Sequence, residues 1–290
     1  MVNFDTLFLP KMASFPRYFT VMPLHTPLSP EAQTLIETRL STLAIEHQVK
    51  IVFACESGSR AWGFPSPDSD YDVRFIYVHP QEWYLALDEG RDVIDLPIED
   101  SAVGLLDFGG WDMRKTLRLA RKSNPVIWEW LQSPIIYQGF DTMALLALRE
   151  ILDPFYSPIS ACHHYLSLAR GTMERKLTDS TVKIKKYFYM LRPLLAAAWI
   201  ERYREVPPME LTPLMALLDG QPTIKASIDN LLERKQVTDE QVPIARINVL
   251  DDFLAQELAR LQESAKQLPT AVGDPVVLDG LFLAFLGGSE

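Results

Sequence analysis

Two short groups of residues, Ser57-Gly58-Ser59 and Asp70-Tyr71-Asp72, carry side chains suited to phosphate and metal chemistry and lie close together in the sequence. The first group follows an apolar, β-branched run, Lys50 to Cys55, which predicts a buried strand that ends in a turn. A glycine there lets the backbone approach a phosphate without a Cβ in the way, and the serine hydroxyls can donate hydrogen bonds. Most turns of this kind are only turns, so the turn alone predicts little.

The two aspartates make the pattern more specific. Asp70 and Asp72 are two residues apart at the start of a predicted strand, Tyr71 to Val78, so their side chains should point to the same side. Neighbouring carboxylates repel each other unless a cation lies between them, and Mg²⁺ binds carboxylate and phosphate oxygens together. An isolated Asp-x-Asp is usually a solvated loop end. Its position a short loop after the Gly-Ser turn favours a metal and phosphate site.

Gly58-Ser59 followed by Asp70-x-Asp72 resembles the signature of the DNA polymerase beta superfamily of nucleotidyltransferases. Three segments that span roughly residues 50–205 resemble one branch of bacterial predicted nucleotidyltransferases, some of them linked to RNA repair gene clusters: ESGSRAWGFPSPDSDYDVRFIYV, GWDMRKTLRLARKSNPVIWEWLQSP and KIKKYFYMLRPLLAAAWI. The resemblance implies transfer of a nucleoside monophosphate from a nucleoside triphosphate to an acceptor hydroxyl, with release of pyrophosphate. ATP is one triphosphate that it suggests. The acceptor could be an RNA 3′ end, a protein hydroxyl or a small molecule.

The resemblance also implies roles for individual residues. Ser57, Gly58 and Ser59 would hold the triphosphate, and Asp70 and Asp72 would bind two Mg²⁺ or Mn²⁺ ions. A third acid from a neighbouring strand would complete the site and accept the proton of the attacking hydroxyl. Such a site accelerates transfer mainly by positioning and by charge stabilisation.

The third acid has to be sought among several residues. We prefer Asp107, because it ends the apolar run Val103 to Leu106, which could pair beside the Asp70/Asp72 strand. Asp112 is the alternative, although it precedes a helical pattern and is more typical of a helix cap. Strand register cannot be read from sequence, so three further acids remain candidates: Asp95, Glu99 and Asp100.

Three basic residues are candidate nucleotide ligands. Arg60 adjoins the Gly-Ser turn and could reach a phosphate, although a surface salt bridge explains it equally well. Lys186 and Arg192 lie on a predicted helix that also carries Lys183 and Lys185. This helix could present a basic face to the triphosphate or to an RNA end. The competing interpretation is a solvated helix face.

The elements that must position these residues fall into two parts. A helix is predicted from Ser29 to about Glu46, followed by strands at 50–55, 71–78, 91–96 and 103–108, and by two helical pieces broken at Asn124-Pro125. Long helical patterns follow at 157–177, 181–204, 224–235 and 246–267. We therefore predict an α+β fold: an irregular arm (1–28), a nucleotidyltransferase domain with a small mixed sheet (29–140) and a helical domain (141–290).

Composition narrows the function classes. The formal net charge is −10, which argues against long duplex DNA as a partner. The longest apolar stretches are too short to span a membrane, and the N-terminus does not resemble a secretory signal. Cys55 and Cys162 fit buried free thiols in a reducing cytoplasm.

Two other function classes stay open at this level. A relative could keep the fold and bind nucleotide or RNA without catalysis, although an intact Asp-x-Asp pair favours an enzyme. Alternatively, the helical half could bind a partner protein in a regulatory role. Neither the nucleotide, the acceptor nor the oligomeric state can be read from the sequence.

Overall fold

A computed structural model describes residues 28–140, 142–177, 179–238 and 242–287 of the chain. The predicted N-terminal arm, residues 1–28, lies outside the described residues except for Leu28.

A mixed β-sheet forms the first part of the molecule. Its order is β3-β5-β2-β1-β6. Strand β4 also pairs with β5, at residues 104–106, whereas β3 pairs with residues 109–111 of β5. Strands β2 and β5 run parallel, and the other pairs are antiparallel. The strands are β1 (Lys50–Glu56), β2 (Tyr71–Val78), β3 (Val93–Asp95), β4 (Glu99–Ser101), β5 (Gly104–Asp112) and β6 (Ile136–Gln138).

Helix α1 (Pro30–Glu46) covers one face of this sheet. It begins as predicted, because the Ser29 side chain accepts a hydrogen bond from the backbone N–H of Ala32 and proline occupies the first turn. Its buried residues pack with alternate residues of the central strands in one apolar cluster, which includes Ala32, Ile36, Leu40, Leu43, Tyr71, Val73, Phe75, Leu106 and Phe108. The intervening strand residues therefore face the opposite side of the sheet.

Helices cover that opposite side. The helices after α1 and before residue 140 are α2 (Gly58–Ala61), α3 (Gln81–Tyr84), α4 (Met113–Arg121) and α5 (Pro125–Leu131). Those that follow are α6 (Thr142–Leu152), α7 (Pro158–Lys176), α8 (Ile184–Tyr203), α9 (Leu211–Met215), α10 (Pro222–Val237), α11 (Asn248–Ser264) and α12 (Pro275–Gly287). A two-stranded antiparallel sheet of β7 (Thr181–Lys183) and β8 (Pro243–Ala245) adjoins the start of α8.

The predicted α+β fold class, with a small mixed sheet followed by helices, is confirmed. The break at Asn124-Pro125 is also present, since the Asn124 side chain caps α5. Residues 181–183 were expected to be helical, but they pair with 243–245 as strand β7, and α8 begins only at Ile184. The short strands β4, β6 and β8 and the helices α6, α9 and α12 were not predicted.

One apolar core connects the two predicted domains. It runs from sheet residues such as Phe53 and Ile76 to Leu281 and Phe285 of α12. The boundary at residue 140 therefore remains a prediction, and the two parts on either side of it share one core. Among the described helices, none combines the length and apolar character needed to cross a membrane. Both cysteines are buried and free, as predicted.

Candidate active site

The parallel strands β2 and β5 bring Asp72 and Asp107 side by side. Their register pairs Asp72 with Asp107 directly, and both side chains lie on the sheet face that α1 does not cover. Each carboxylate is about a quarter exposed, at 28% and 27%. Asp70 lies one residue before β2 begins, at the same end of the sheet. The structure thus brings together Asp72 and Asp107, two of the three predicted acids. Asp70, the remaining one, lies two residues before Asp72 in the chain.

A guanidinium group lies between the two paired carboxylates. Arg74 Nη2 donates to Asp107 Oδ2 at 2.7 Å and to Asp72 Oδ1 at 3.2 Å. Its other terminal nitrogen, Nη1, donates to the backbone carbonyls of Asp107 and Val73 at 2.8 and 3.1 Å. Arg74 therefore places a positive charge between Asp72 and Asp107, whereas the sequence led us to expect a divalent cation between Asp70 and Asp72. Sequence reasoning missed Arg74, although its position two residues after Asp72 predicts the same face.

The Gly-Ser turn packs directly against Asp72. Gly58 has a φ of +60°, a conformation that favours glycine. A Cβ added to it would lie 1.9 Å from Asp72 Oδ2, far inside any contact distance. The backbone N–H of Ser57 donates to the Asp72 carbonyl at 2.8 Å. Glycine is therefore required at position 58 for its backbone conformation and for the contact between the turn and the carboxylate.

The hydroxyl of Ser59 points into the loop that connects the turn to β2. It donates to Ser69 Oγ at 3.0 Å, and Ser69 Oγ lies 2.9 Å from Ser66 Oγ. Lys235 of α10 is 2% exposed and donates to Ser66 Oγ at 3.1 Å. Ser59 is itself buried, so in this conformation its side chain stabilises the loop that precedes Asp70.

Arg60 stabilises the same loop from the other side. Its Nε and Nη2 donate to the carbonyls of Asp70 and Ser69 at 3.1 and 2.7 Å, and its guanidinium stacks 3.9 Å from the centroid of the Tyr71 ring. These contacts assign Arg60 a role in holding the backbone of Asp70. Neither of the two roles considered from the sequence, phosphate ligand or surface salt bridge, describes them.

The two basic residues chosen on α8 lie in different surroundings. Lys186 is half-buried, with Nζ 4.7 Å from the ring centroid of Tyr189, and Tyr189 contacts the edge of Trp62 just after the turn. Arg192 is 3% exposed. It donates to Glu129 Oε1 and to the Met209 carbonyl, both at 2.9 Å, and its guanidinium lies 4.7 Å from the Trp62 ring.

The expectation that Arg192 lies on an exposed basic face of the helix is therefore wrong, because the side chain is buried. Arg192 is neither on a solvated face nor open to the turn, because its charge is paired inside the core with Glu129. That carboxylate also accepts from Tyr165 Oη at 2.6 Å. The remaining nitrogen of Arg192, Nη2, is also buried and has no hydrogen-bond partner among the residues that the structure describes, so a nucleotide could reach it only if the side chains around it moved.

Asp112, the alternative third acid, caps a helix. Its side chain accepts from the backbone N–H of Arg114 at 2.8 Å and from Tyr84 Oη at 2.6 Å, and the residue is fully buried. Burial raises the pKa of its carboxyl. It pairs in register with Tyr77, five residues along β2 from Asp72. This position is at the far end of the strand from the Gly-Ser turn.

The three further acids lie on β3 and β4, one strand beyond β5. Asp95 pairs with Gly109 and Asp100 with Leu105, and both are exposed. Glu99 binds the guanidinium of Arg39 of α1 at 2.8 Å. Asp107 is therefore the acid with a register position next to Asp72.

Glu56 is a buried acid behind the site that sequence reasoning did not select. It is 0% exposed; its Oε1 accepts from the backbone N–H of Asp72 at 2.9 Å and its Oε2 accepts from Tyr137 Oη at 2.5 Å. Burial raises its pKa from 4.5 to about 8. Glu56 thus anchors the backbone at Asp72 with a carboxyl group that is mainly protonated at neutral pH. The only signal in the sequence is its place directly before the turn.

The donor set fits a hard divalent cation in its chemistry. Carboxylates from adjacent strands are the ligands that Mg²⁺ and Mn²⁺ prefer, and the positive guanidinium between them marks a place where a cation is stabilised. Within the described part of the chain, however, no three His, Cys, Asp or Glu side chains are already arranged as a metal site.

Comparison with known proteins agrees with this geometry. A family model described as RlaP, RNA repair pathway DNA polymerase beta family, matches residues 32–284. The chain belongs to this family. The RlaP match includes the Gly-Ser turn, Asp70, Asp72 and Asp107 as well as most of the helical part, so the resemblance stated from the motifs is confirmed.

Two individual proteins are similar to the chain. The uncharacterized protein YcgL of Bacillus subtilis (strain 168) is 49% identical over 229 residues, which are 79% of this chain and 86% of that protein. A crystal structure of a nucleotidyltransferase-like protein from Exiguobacterium sibiricum 255-15 aligns with 86% of this chain and 78% of that one. It has 11% sequence identity and a TM-score of 0.31.

Proposed function

We propose that this RlaP family member is a metal-dependent nucleotidyltransferase that moves a nucleoside monophosphate from a nucleoside triphosphate to an acceptor hydroxyl and releases pyrophosphate. An RNA end is the acceptor that we propose to test first, because the family is described by an RNA repair pathway. The observation that supports the reaction is the contact of the Gly58 turn with Asp72, which itself lies beside Asp107. A phosphate-binding turn and a carboxylate pair are thereby held at one end of the sheet.

The acids have distinct roles in this proposal. Asp70 and Asp72 would hold two Mg²⁺ or Mn²⁺ ions, with Asp107 as the third acid. The ions would supply charge stabilisation and lower the pKa of the attacking hydroxyl. Asp107 would take the proton of the attacking hydroxyl. Because it is about a quarter exposed, it could then release that proton to solvent. Glu56 and Arg60 hold the backbone at Asp72 and Asp70.

The triphosphate would lie along Ser57, Gly58 and Ser59. Glycine at position 58 lets the turn lie directly against the Asp72 carboxylate, and the Ser57 side chain makes no capping hydrogen bond to α2. Ser59 would contribute its hydroxyl only if it exchanged its bond to Ser69. Lys186 is the basic residue that we propose for the nucleotide, since Tyr189 links it to Trp62 beside the turn. The contacts of Arg192 favour an indirect role, through Trp62.

The test is label transfer with the purified chain. Each nucleoside triphosphate, labelled on its α-phosphate, is incubated with Mg²⁺ or Mn²⁺ and a pool of small RNAs, next to the Asp70→Asn/Asp72→Asn variant. Transfer of label to RNA by the natural chain and not by the variant would support the proposal. Metal-dependent nucleotide binding without transfer to any acceptor would favour a binding protein instead. Absence of both would refute the site assignment.

The third acid is tested by a matched pair of substitutions. Asp107→Asn should abolish transfer and lower the free energy of unfolding by no more than about 1 kcal/mol, because the ion pair with Arg74 that it removes is partly exposed. Asp112→Ala should instead destabilise the fold by about 1 kcal/mol or more, since it removes a buried helix cap. The folded fraction of the Asp112 variant should still transfer label. The reverse pattern would make Asp112 the third acid.

A further inference from the structure

The most constrained charged group in the site is Arg74, which none of the proposed catalytic steps uses. Its hydrogen bonds end on two neighbouring strands: Nη1 on the backbone of Val73 and Asp107, and Nη2 on the carboxylates of Asp72 and Asp107. The chain of Arg74 lies over Gly109, where an added Cβ would be 3.5 Å from its Cδ and Nη1. Larger side chains than alanine at 109 would compete with Arg74 for this space.

The position of Nη2 has a direct chemical meaning. It contacts one oxygen of Asp72 and one oxygen of Asp107, which is where a divalent ion shared by these two carboxylates would also make its bonds. A guanidinium nitrogen and a metal ion cannot contact the same oxygens from the same side. Their positive charges also repel each other at such short range.

We propose, building on the metal-dependent function above, that Arg74 is a resident cation that a divalent ion must displace. In the metal-free protein, Arg74 neutralises Asp72 and Asp107 and holds β2 and β5 together at the site. Binding of the ion requires Nη2 to leave the two carboxylates. Arg74 therefore weakens metal binding and stabilises the empty site, so that the chain does not retain the ion tightly on its own.

The alternative role of Arg74 gives the opposite expectation. If Arg74 only oriented Asp107 as a fixed support, its removal would misplace a metal ligand and weaken metal binding. The sign of the change in Mn²⁺ affinity therefore separates displacement from support. This readout does not depend on catalytic activity or on the identity of the acceptor.

The experiment measures Mn²⁺ binding by electron paramagnetic resonance in the natural chain, Arg74→Met and Asp72→Asn. Arg39→Met is the matched control, because Arg39 also binds two carboxylates, Glu99 and Glu46, and is similarly exposed, at 26% against 22% for Arg74. We expect Arg74→Met to bind Mn²⁺ about tenfold more tightly or better, and Arg39→Met to bind it unchanged. Binding by Arg74→Met alone, with none by the natural chain, would also support displacement.

Unchanged or weaker binding by Arg74→Met would overturn the inference. In that case the proposed function would still stand if the natural chain binds Mn²⁺ and Asp72→Asn does not. If neither the natural chain nor Arg74→Met binds Mn²⁺, both proposals fail. Urea unfolding of the metal-free proteins gives a second measurement: Arg74→Met should be less stable than the natural chain, and Mn²⁺ should restore more stability to it than to Arg39→Met. Equal effects of Mn²⁺ on the two variants would contradict the inference.

Discussion

Replacement of Gly58 by alanine should disable the site through one displaced carboxylate. The new Cβ would lie 1.9 Å from Asp72 Oδ2, whereas ordinary contacts begin at 3.4 Å, so the oxygen must retreat by about 1.5 Å. Displacement of a reacting group by about 1 Å can reduce a rate on the order of a hundredfold. We therefore expect kcat/KM for nucleotidyl transfer to fall by about a hundredfold, with weaker Mn²⁺ binding.

The stability change in the same variant has a separate origin. A left-handed backbone conformation costs an alanine about 1–2 kcal/mol relative to glycine. Gly63→Ala is the matched control, because Gly63 also has a positive φ, +87°, but its Cβ would meet its nearest neighbour, Glu210 Oε1, at an ordinary 3.9 Å. Both variants should lose similar backbone stability in urea unfolding, and only Gly58→Ala should also lose transfer and Mn²⁺ affinity.

The comparison can refute this reasoning in two ways. Equal losses of transfer in Gly58→Ala and Gly63→Ala would mean that backbone strain alone disturbs the turn. Normal transfer and normal Mn²⁺ affinity in Gly58→Ala would mean that the contact with Asp72 has no function. In either case the observation that supports the proposed reaction would lose its force.

Two further predictions concern buried charges. Glu56 has a pKa raised from 4.5 to about 8, so its contribution to stability is complete below 4.5 and is lost as pH rises through 8. In urea unfolding without metal, the natural chain should lose up to about 1.4 kcal/mol per pH unit relative to Glu56→Gln over this interval, and parallel curves would contradict the shift. Arg192→Met should destabilise the chain by about 3–5 kcal/mol, because it leaves Glu129 buried and unpaired. Adding Glu129→Gln should recover much of the loss; additive losses would count against a coupled pair.

The sequence was sufficient for the fold class because two kinds of pattern carry it. Apolar β-branched runs define the central strands β1 and β2, and a serine cap with a following proline defines the start of α1. The short edge strands β4 and β6 have three residues each and no alternation long enough to detect. Strand β7 was hidden because its three residues continue directly into the helical pattern of α8.

In the candidate site, too, local features could be predicted from the sequence and tertiary contacts could not. The Gly-Ser turn and the aspartates could be predicted because their residue types and spacing are local properties. The neighbour of Asp72 on β5 depends on strand register, a tertiary property, and only the pairing Asp72–Asp107 ranks Asp107 above Asp112 in position. Arg192 was misjudged because a cation on an apolar helix gives no sign in sequence of the buried Glu129 that pairs with it.

The helical part contacts the chain just after the Gly-Ser turn and in the loop that precedes Asp70. Trp62 receives the Arg192 guanidinium on its ring and the Leu211 N–H on its carbonyl, while Lys235 reaches the loop before Asp70 through Ser66. All three partners belong to the region after residue 140, and two of them act through buried charges that allow little movement. The position of the Gly-Ser turn is therefore set jointly by the sheet below it and the helices beside it.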